Sequence, residues 1–298
     1  MARITIPYAV ADFIDLRERG FYYVDKTDYI PKLEDYNAPV FLRPRRFGKS
    51  LLVSTLACYY DRTKAHRFEE LFGGTWIGNH PTKEHNSYMI IRYDFSKMVM
   101  ADTIKGLAQN FNDLNCGSVD VMVEHNRDLF GDFQFTTRGD ASKMLEEVLN
   151  YARSHEFPKV YLLIDEYDNF TNQLLTAYND PLYEEVTTND SFLRTFFKVI
   201  KAGIGEGSIR TCFCTGVLPA TMDDLTRGYN IAEILTLEPN FLNMLGFTYE
   251  ETETYLRYVL DKYSTGQERF DEIWQLIVSN YDGYRFRPNG DRLFNATI

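Results

Sequence analysis

Apolar and polar positions alternate along the first ~240 residues in a pattern that predicts strands followed by helices. Short apolar runs predict buried strands, and longer stretches with apolar residues at helical spacing predict the helices that cover them. The predicted strands are Pro39–Leu42, Ser87–Phe95, Lys159–Ile164, Ile209–Thr215 and Ile231–Leu237. The predicted helices are Val24–Tyr36, interrupted at Pro31, Lys49–Tyr60, Asp140–Ser154 and Phe192–Ala202. This alternation is typical of an α/β fold whose parallel sheet is covered on both faces.

The pattern changes after Leu245, where no further strand is predicted. Thr248–Tyr263 reads as a helix that begins at a capping threonine and has acidic residues in its first turn, and Gln267–Ser279 reads as a second helix. We therefore expect residues 1–245 to form the core and residues 246–298 to form a small C-terminal helical lid.

Composition places the chain among ordinary globular proteins. It has 298 residues, of which 44% are hydrophobic and 25% charged. The formal net charge of -11 argues against a surface devoted to nucleic acid, although a local basic groove is compatible with it. No signal peptide and no run of ~20 apolar residues is visible, so we expect a cytoplasmic protein without membrane contact.

The four cysteines and five histidines do not have the spacing of a zinc site. Cys212 and Cys214 are two residues apart in an apolar run, so on a strand they would share one face. We expect these two, with Cys58 and Cys116, to be buried thiols in a reducing compartment.

The loop between the first strand and its helix carries the first candidate chemistry. Gly48-Lys49-Ser50 matches the end of the phosphate-binding pattern G-x-x-x-x-G-K-S/T. A glycine lets the backbone approach phosphates, and a helix that begins at Lys49 directs free N–H groups toward an anion. Lys49 would reach the β- and γ-phosphates of ATP, and Ser50 would offer its hydroxyl to Mg²⁺.

Arg43 stands where this pattern has its first glycine. The alternative interpretation is a basic loop that only caps a helix. Arg45 and Arg46 fit both interpretations, as neighbours of phosphate or as solvated charges.

The second candidate feature is an apolar strand that ends in Asp165-Glu166. Open α/β sheets bind ligands at the carboxyl ends of their strands, so Asp165 would hold Mg²⁺ and Glu166 would orient or deprotonate an attacking water. The alternative is a solvated acidic turn. Asp168 would lie behind the site or serve as a turn residue, and Asp94, at another strand end, would face the metal or cap a helix.

At this point the sequence resembles the bacterial AAA-ATPase-like family, whose members often carry a PD-(D/E)XK-type nuclease domain after the ATPase domain. The resemblance covers nearly the whole chain. It rests on R-P-R-R-F-G-K-S-L at Arg43 to Leu51, Y-Y-V-D-K-T at Tyr22 to Thr27, L-I-D-E-Y-D at Leu163 to Asp168, T-G-V at Thr215 to Val217, L-G-F-T at Leu245 to Thr248, and Y-D-G-Y-R-F at Tyr281 to Phe286. The first loop glycine is commonly absent in that family.

The resemblance implies a RecA/AAA-like core with a helical lid, and it implies roles for further residues. Arg45, Arg46, Phe47, Gly48, Lys49, Ser50 and Leu51 would bind the nucleotide. Thr215 would act as a sensor of the γ-phosphate or of the attacking water, or would only cap the Gly216 turn. Arg285 would be a lid arginine near the γ-phosphate or an ordinary packing residue, and Arg227 would be an arginine finger in a homo-oligomer. Tyr23, Val24, Asp25 and Thr27 would border the adenine by analogy with the family.

Three functions follow from these features. The first is a Mg²⁺-dependent ATPase that regulates an attached or partner module, with Lys49, Glu166, Thr215 and Arg285 as its catalytic residues. The second is an ATP-binding switch that does not hydrolyse. The third is the regulatory part of a nuclease that acts on nucleic acid, although no nuclease site is seen before Ile298. No N-K-x-D motif for guanine was found, so ATP is the expected nucleotide.

Overall fold

Five parallel strands form the central sheet of the computed structural model, which describes residues 7, 10–169, 172–174, 181–187, 191–218, 229–262, 269–288 and 290–295. The strands are β1 (Pro39–Leu42), β2 (Met89–Asp94), β3 (Val160–Asp165), β4 (Ile209–Gly216) and β5 (Glu233–Ile234). Their order across the sheet is β2-β3-β4-β1-β5. The predicted parallel sheet is confirmed, but β5 is shorter than the predicted strand.

Twelve helices are described, and those before residue 246 surround the sheet. In chain order they are α1 (Phe13–Glu18), α2 (Ile30–Leu33), α3 (Lys49–Tyr60), α4 (Phe68–Phe72), α5 (Trp76–Asn79), α6 (Ile104–His125), α7 (Arg127–Phe130), α8 (Ala141–Ser154), α9 (Pro181–Thr187), α10 (Phe192–Gly205), α11 (Tyr249–Lys262) and α12 (Phe270–Tyr281). Every residue of β3 is buried, as expected for a parallel strand with helices on both sides. The α/β fold is that of a P-loop NTPase-like domain.

Alternate strand residues point into two separate cores. On one face, Phe41, Leu163 and Phe213 pack against α3. On the other face, Leu162 and Cys212 pack against α6, α8 and α10. Each face therefore buries a different helical layer, which fixes the register of every strand.

The cysteines follow this arrangement with one exception. The sulfur atoms of Cys212 and Cys214 lie 3.7 Å apart on one buried face, which confirms the prediction that they share a face. Cys58 is buried too, and all four thiols are free. Cys116 is only half-buried, because it lies on the side of α6 between the core and the surface, so the expectation of burial is wrong there.

Two predicted helical regions need correction. Val24–Tyr36 is not one helix: a 3₁₀ turn at Thr27–Tyr29 leads into the short α2, with Pro31 in its first turn, where proline is tolerated. The longest helix described, α6, was not predicted, although Thr103 caps it and its buried residues recur at helical spacing. Its glycines and asparagines obscured that pattern.

The two C-terminal helices have a small core of their own. Leu256 and Leu260 of α11 pack against Phe270 of α12. Thr248 caps α11 as predicted: its Oγ1 accepts a hydrogen bond from the Glu251 amide (3.2 Å), and Glu251 Oε2 accepts one from the Thr248 amide (2.8 Å). A two-stranded sheet follows, formed by β6 (Asp282–Tyr284) and β7 (Leu293–Phe294). A separate lid over residues 246–298 stays a prediction.

Each helix described is too short or too polar to span a lipid bilayer.

Candidate functional site

The loop after β1 ends at a glycine that opens α3. Gly48 has a φ of +89°, a conformation that favours glycine, and no side chain caps the helix that it begins. By contrast, Thr103 caps α6 and Asp140 caps α8. Among the described residues, no side chain caps the first-turn N–H groups of α3 at Lys49, Ser50 and Leu51, so they are available to an anion at the loop.

The ammonium group of Lys49 lies inside the loop. Its Nζ donates hydrogen bonds to the carbonyl oxygens of Arg43 (2.9 Å) and Pro44 (3.1 Å), and the side chain is buried. Burial lowers the pKa of Lys49, and the carboxylates of Glu166, Asp165 and Asp168 oppose that change. Lys49 is therefore close enough to the acidic end of β3 for their charges to interact.

The side chain of Arg43 is not part of the exposed surface of the loop. Its guanidinium is buried and donates to the carbonyl oxygens of Leu42 and Thr236 (both 3.0 Å) and Leu242 (2.9 Å). It also lies over the rings of Phe286 (3.9 Å) and Phe41 (4.5 Å). Burial lowers the pKa of Arg43 to about 10, so the group stays charged at neutral pH. The residue in place of the first glycine is an anchor for the loop.

The other loop residues divide into exposed charges and a buried ring. Arg45 and Arg46 are exposed, and Arg46 has a φ of +68°. Phe47 is buried and packs edge-on against Tyr284 (4.8 Å between ring centroids) and Phe286 (5.6 Å). Phe47 therefore contributes only its backbone to the inner side of the loop.

The two remaining cofactor-binding candidates occupy the first turn of α3. Ser50 is half-buried at the second position of the helix, next to Lys49. Leu51 is half-buried and packs against the core on the α3 face of the sheet. Its side chain therefore belongs to the core, and only its amide can face the loop.

The carboxylate of Asp165 is held at the end of β3 by its neighbours in the sheet. Thr215 Oγ1 donates to Asp165 Oδ1 at 2.5 Å, and both side chains are buried. On the other side, Arg92 Nη2 lies 3.9 Å from Asp165 Oδ2. The hydroxyl and the guanidinium hold this carboxylate in place at the carboxyl end of β3.

Glu166 follows in a left-handed conformation, with a φ of +52°. Its amide donates to Thr215 Oγ1 (3.2 Å), so one hydroxyl positions both acidic residues. Burial raises the pKa of Glu166, Asp165 and Asp168 add to the rise, and Lys49 and Arg45 oppose it. Backbone strain in a non-glycine residue is frequent at functional sites, and a raised carboxyl pKa suits a general base.

Asp168 ties the loop after β3 to the loop after β4. Its Oδ2 accepts hydrogen bonds from the amides of Val217 (2.9 Å) and Leu218 (2.7 Å) and from Asn172 Nδ2 (3.0 Å). Gly216 permits this approach, because a Cβ there would lie 2.5 Å from the Tyr167 ring and 2.8 Å from Asp168 Oδ1. These contacts agree with the interpretation of Asp168 as a turn residue.

Asp94 lies beside Asp165 in the register of β2 and β3, but its side chain caps the turn that follows. Its Oδ1 accepts from the Ser96 hydroxyl (2.6 Å) and amide (3.2 Å), and Lys97 Nζ lies 3.1 Å from Oδ2. Burial raises the pKa of Asp94, but these hydrogen bonds outweigh it and hold the pKa below its ordinary value. The capping interpretation accounts for this residue.

Two arginines, Arg285 and Arg227, are predicted to lie near the γ-phosphate. Arg285 is exposed, although its neighbours Tyr284 and Phe286 contact Phe47. Arg227 lies outside the described residues.

The segment proposed to border adenine has structural contacts. Asp25 Oδ2 accepts from the Trp76 amide (2.6 Å), and Thr27 Oγ1 accepts from the Ile77 amide (3.0 Å). These bonds cap α5, and Tyr23 packs against Phe13 (5.4 Å between ring centroids). These three residues therefore support neighbouring elements, and Val24 beside them is half-buried.

Sequence reasoning missed Arg92, which reaches Asp165 from β2. The sequence did contain a signal for it. Arg92 is a charged residue inside the strand M-I-I-R-Y-D, and it lies two residues before Asp94, so both belong to the same face of the strand. In the described part of the chain, no group of three His, Cys, Asp or Glu side chains could hold a metal ion. A Mg²⁺ ion on a phosphate loop needs only one or two protein oxygens besides phosphate and water, so Ser50 and Asp165 still suit it.

Comparison with known proteins bears on this site. The model of the AAA-ATPase-like family, described as predicted AAA-ATPase, matches residues 7–226. The chain is also 27% identical over 306 residues to a protein of Azotobacter chroococcum mcd 1 described as an uncharacterized protein in the vnfD 5′ region. That alignment covers 99% of this chain and 51% of the relative, so the chain spans about half the length of that protein. The family match includes the loop and the ends of β3 and β4.

Proposed function

This chain belongs to the AAA-ATPase-like family, and we propose that it binds ATP with Mg²⁺ and hydrolyses the γ-phosphate. The observation that carries the proposal is the common edge of β1, β3 and β4. The strand order places β4 between the other two, so the residues that follow all three strands meet at one edge. There the ammonium of Lys49 faces Asp165 and Glu166, and Thr215 bonds to both acidic residues.

The loop suits a polyphosphate. The uncapped first turn of α3 supplies N–H donors and the positive end of the helix dipole, and Gly48 leaves the backbone open to close approach. Lys49 would leave the carbonyls of Arg43 and Pro44 and move its Nζ onto the β- and γ-phosphates. Arg45 and Arg46, both exposed, add positive charge at the loop rim.

The acidic strand end suits the metal and the water. Ser50 and Asp165 would hold Mg²⁺, which neutralises charge on the phosphate oxygens when it is bound. Glu166 would accept a proton from the attacking water, since burial has already raised its pKa toward the working range of a base. Thr215 would hold the Asp165 carboxylate and the Glu166 backbone in place through its hydroxyl.

A switch without hydrolysis is the second candidate, and the two hydrogen bonds of the Lys49 ammonium favour it. Lys49 donates hydrogen bonds to two carbonyls of its own loop. ATP would have to break these bonds in order to bind to Lys49. Binding alone would then change the loop and, through Phe47, its contacts with Tyr284 and Phe286. In either case, the change caused by the nucleotide would be transmitted to an attached or partner module.

The test is phosphate release from ATP with and without Mg²⁺, together with ATP affinity by titration. We expect Lys49→Ala to lose both binding and turnover, and Glu166→Gln to keep binding but lower turnover by about 10²- to 10⁴-fold. Lys105→Ala and Glu146→Gln, at exposed positions of α6 and α8, are the matched controls and should behave like the natural protein. Binding without turnover in the natural protein would select the switch, and no Lys49-dependent binding would exclude both candidates.

A further inference from the structure

The two oxygens of the Asp165 carboxylate have different partners. Oδ1 accepts a hydrogen bond of 2.5 Å from Thr215 Oγ1, and both side chains are buried. Oδ2 lies 3.9 Å from Nη2 of Arg92, which reaches it from the neighbouring strand β2. A cation that bound through Oδ1 would compete with the short, charge-assisted bond to Thr215. Oδ2 is therefore the oxygen through which Asp165 is open to a cation.

Arg92 supplies a positive charge at this oxygen, but the pair is a loose one. A separation of 3.9 Å is too long for a hydrogen bond, so the two groups attract each other by charge alone. Only 3% of the Asp165 side chain is exposed, whereas 35% of the Arg92 side chain is exposed. The carboxylate is therefore fixed, and the guanidinium is the partner that can move.

The other carboxylate on this face of β2 is already engaged. Asp94 lies two residues beyond Arg92, and its Oδ1 accepts hydrogen bonds from the hydroxyl (2.6 Å) and the amide (3.2 Å) of Ser96. Its Oδ2 lies 3.1 Å from Nζ of Lys97. Among the described residues, Asp165 is thus the carboxylate that pairs with Arg92.

Arg92 has room to leave Asp165. The strand β2 is the last one on its side of the sheet, and Asp61 turns the neighbouring chain away from it by accepting a hydrogen bond from the Thr63 amide (2.9 Å). A cavity of about 480 Å³ remains beside the strand, and Arg92 is one of the residues that line it. The guanidinium can swing into this space without displacing a buried side chain.

We propose that Arg92 is a positioning residue that holds the place of the metal ion: it neutralises Asp165 until Mg²⁺ arrives with ATP, and then gives way. A buried carboxylate is costly without a countercharge, and the Lys49 ammonium is engaged by two carbonyls of its own loop. Mg²⁺ binds oxygen at about 2 Å, so a guanidinium near the same oxygen repels it. This inference rests on the proposed function, since it takes Asp165 as a metal ligand.

The position of Arg92 sets an order of binding. Without nucleotide, Mg²⁺ would have Ser50 and Asp165 as its protein ligands and would have to displace Arg92 to reach Asp165. With ATP, phosphate oxygens supply further ligands, and the bound metal outweighs the guanidinium. Arg92 therefore keeps Asp165 from taking up free metal ions, and its removal should strengthen metal binding by the protein without nucleotide.

The experiment measures the binding of Mn²⁺, a paramagnetic substitute for Mg²⁺, to the full chain without nucleotide by electron paramagnetic resonance. We expect Arg92→Gln to bind Mn²⁺ about tenfold more tightly than the natural protein, since a cation beside a carboxylate shifts its equilibria by at least about that factor. Adding Asp165→Asn to Arg92→Gln should remove this gain. Arg138→Gln is the matched control, because it breaks an exposed ion pair with Asp120 and should leave the Mn²⁺ affinity unchanged.

Circular dichroism checks folding, and Arg92→Thr, which suits a strand, repeats the test if Arg92→Gln does not fold. Equal or weaker Mn²⁺ binding by the variant would overturn the inference, because a purely structural Arg92 would only support Asp165. A gain that survives Asp165→Asn would overturn it too. Lys49-dependent binding of ATP is measured separately: if it is present while Arg92→Gln leaves the Mn²⁺ affinity unchanged, only the role of Arg92 fails and the proposed function stands.

Discussion

Arg43 shows how a single buried charge can replace a glycine. Its guanidinium satisfies three carbonyls that come from β1 and from residues 236 and 242, and it lies between the rings of Phe41 and Phe286. The carbonyl of the same residue accepts a hydrogen bond from Lys49. One residue thus fixes the start of the loop and the resting position of its lysine.

We predict that Arg43→Gly, which restores the general phosphate-loop pattern, destabilises the protein by about 3 kcal/mol, because buried carbonyls lose their donors. Arg43→Lys should cost less, since an ammonium keeps the charge but cannot reach all three oxygens. Denaturant unfolding measures both changes in free energy. An Arg43→Gly protein that is as stable as the natural one would show that the anchor has no energetic role.

The pKa of Glu166 gives a prediction about pH. A general base works when deprotonated, so kcat should rise with pH through the pKa of Glu166, and burial places this rise above the range of an exposed carboxylate. Arg45 opposes the upward shift, so Arg45→Ala should move the rise to higher pH. The pH profile of kcat for the two proteins tests this, and a rise that moves to lower pH would contradict the assignment.

At the scale of elements, the loop depends on a segment far from it in sequence. The Gly246 amide donates to the Phe47 carbonyl (3.2 Å), and the Phe47 ring lies against the Gly246 backbone. The same ring contacts Tyr284 and Phe286. The strand–loop–helix unit is therefore supported from outside by the chain that leads into α11 and follows α12.

Gly246→Ala should test this support. Gly246 has a φ of +84°, and a Cβ there would lie 2.8 Å from the Phe47 ring and 3.1 Å from the Phe294 carbonyl oxygen. We expect a loss of about 2–3 kcal/mol in unfolding free energy and weaker ATP binding, as the loop shifts.

Gly74→Ala is the matched control for this substitution. Gly74 has a φ of +80° but no heavy atom within 4 Å of a built Cβ, so it should cost about 1 kcal/mol and leave ATP affinity unchanged. Equal effects of the two substitutions would mean that only backbone strain matters.

At the scale of the whole molecule, the N-terminal segment joins the two ends of the chain. Lys26 Nζ donates to Glu251 Oε1 (2.5 Å) on α11 and to the Asn243 carbonyl (2.8 Å). Nearby, the Tyr22 ring packs on Tyr255 and Tyr258 of the same helix. The chain after residue 245 is thus held at two places: at α11 by this segment, and at Gly246, Tyr284 and Phe286 by the loop residue Phe47.

A double-mutant cycle with Lys26→Met and Glu251→Gln would measure the coupling energy of the Lys26–Glu251 pair. Both side chains are mostly buried, so we expect a coupling energy of about 1 kcal/mol, with Lys26→Met alone costing about 1–3 kcal/mol. The exposed pair Glu253–Arg257 on the same helix is the control and should couple by less than about 0.5 kcal/mol. Similar coupling in the two cycles would argue against a specific tie between the chain ends.

Local signals in the sequence determined the strand–loop–helix at residues 39–60 and the acidic end of β3. An apolar run, a glycine and an uncapped helix start act within a few residues, so their pattern can be read directly. The same locality explains why the capping box at Thr248 was predicted correctly. For Arg285, the sequence offered only a place in a motif, and the side chain is exposed in the structure.

Tertiary structure alone decided the partners of Arg43, Asp165 and Lys26. Each role depends on which strands and segments become neighbours: Thr215 reaches Asp165 because β4 lies beside β3, and Lys26 meets Glu251 across 225 residues of chain. Strand order is set by how the two helical layers bury the faces of the sheet, which is a property of the whole fold. The open edge of β2, where Asp61 turns the chain away, is visible only when that order is known.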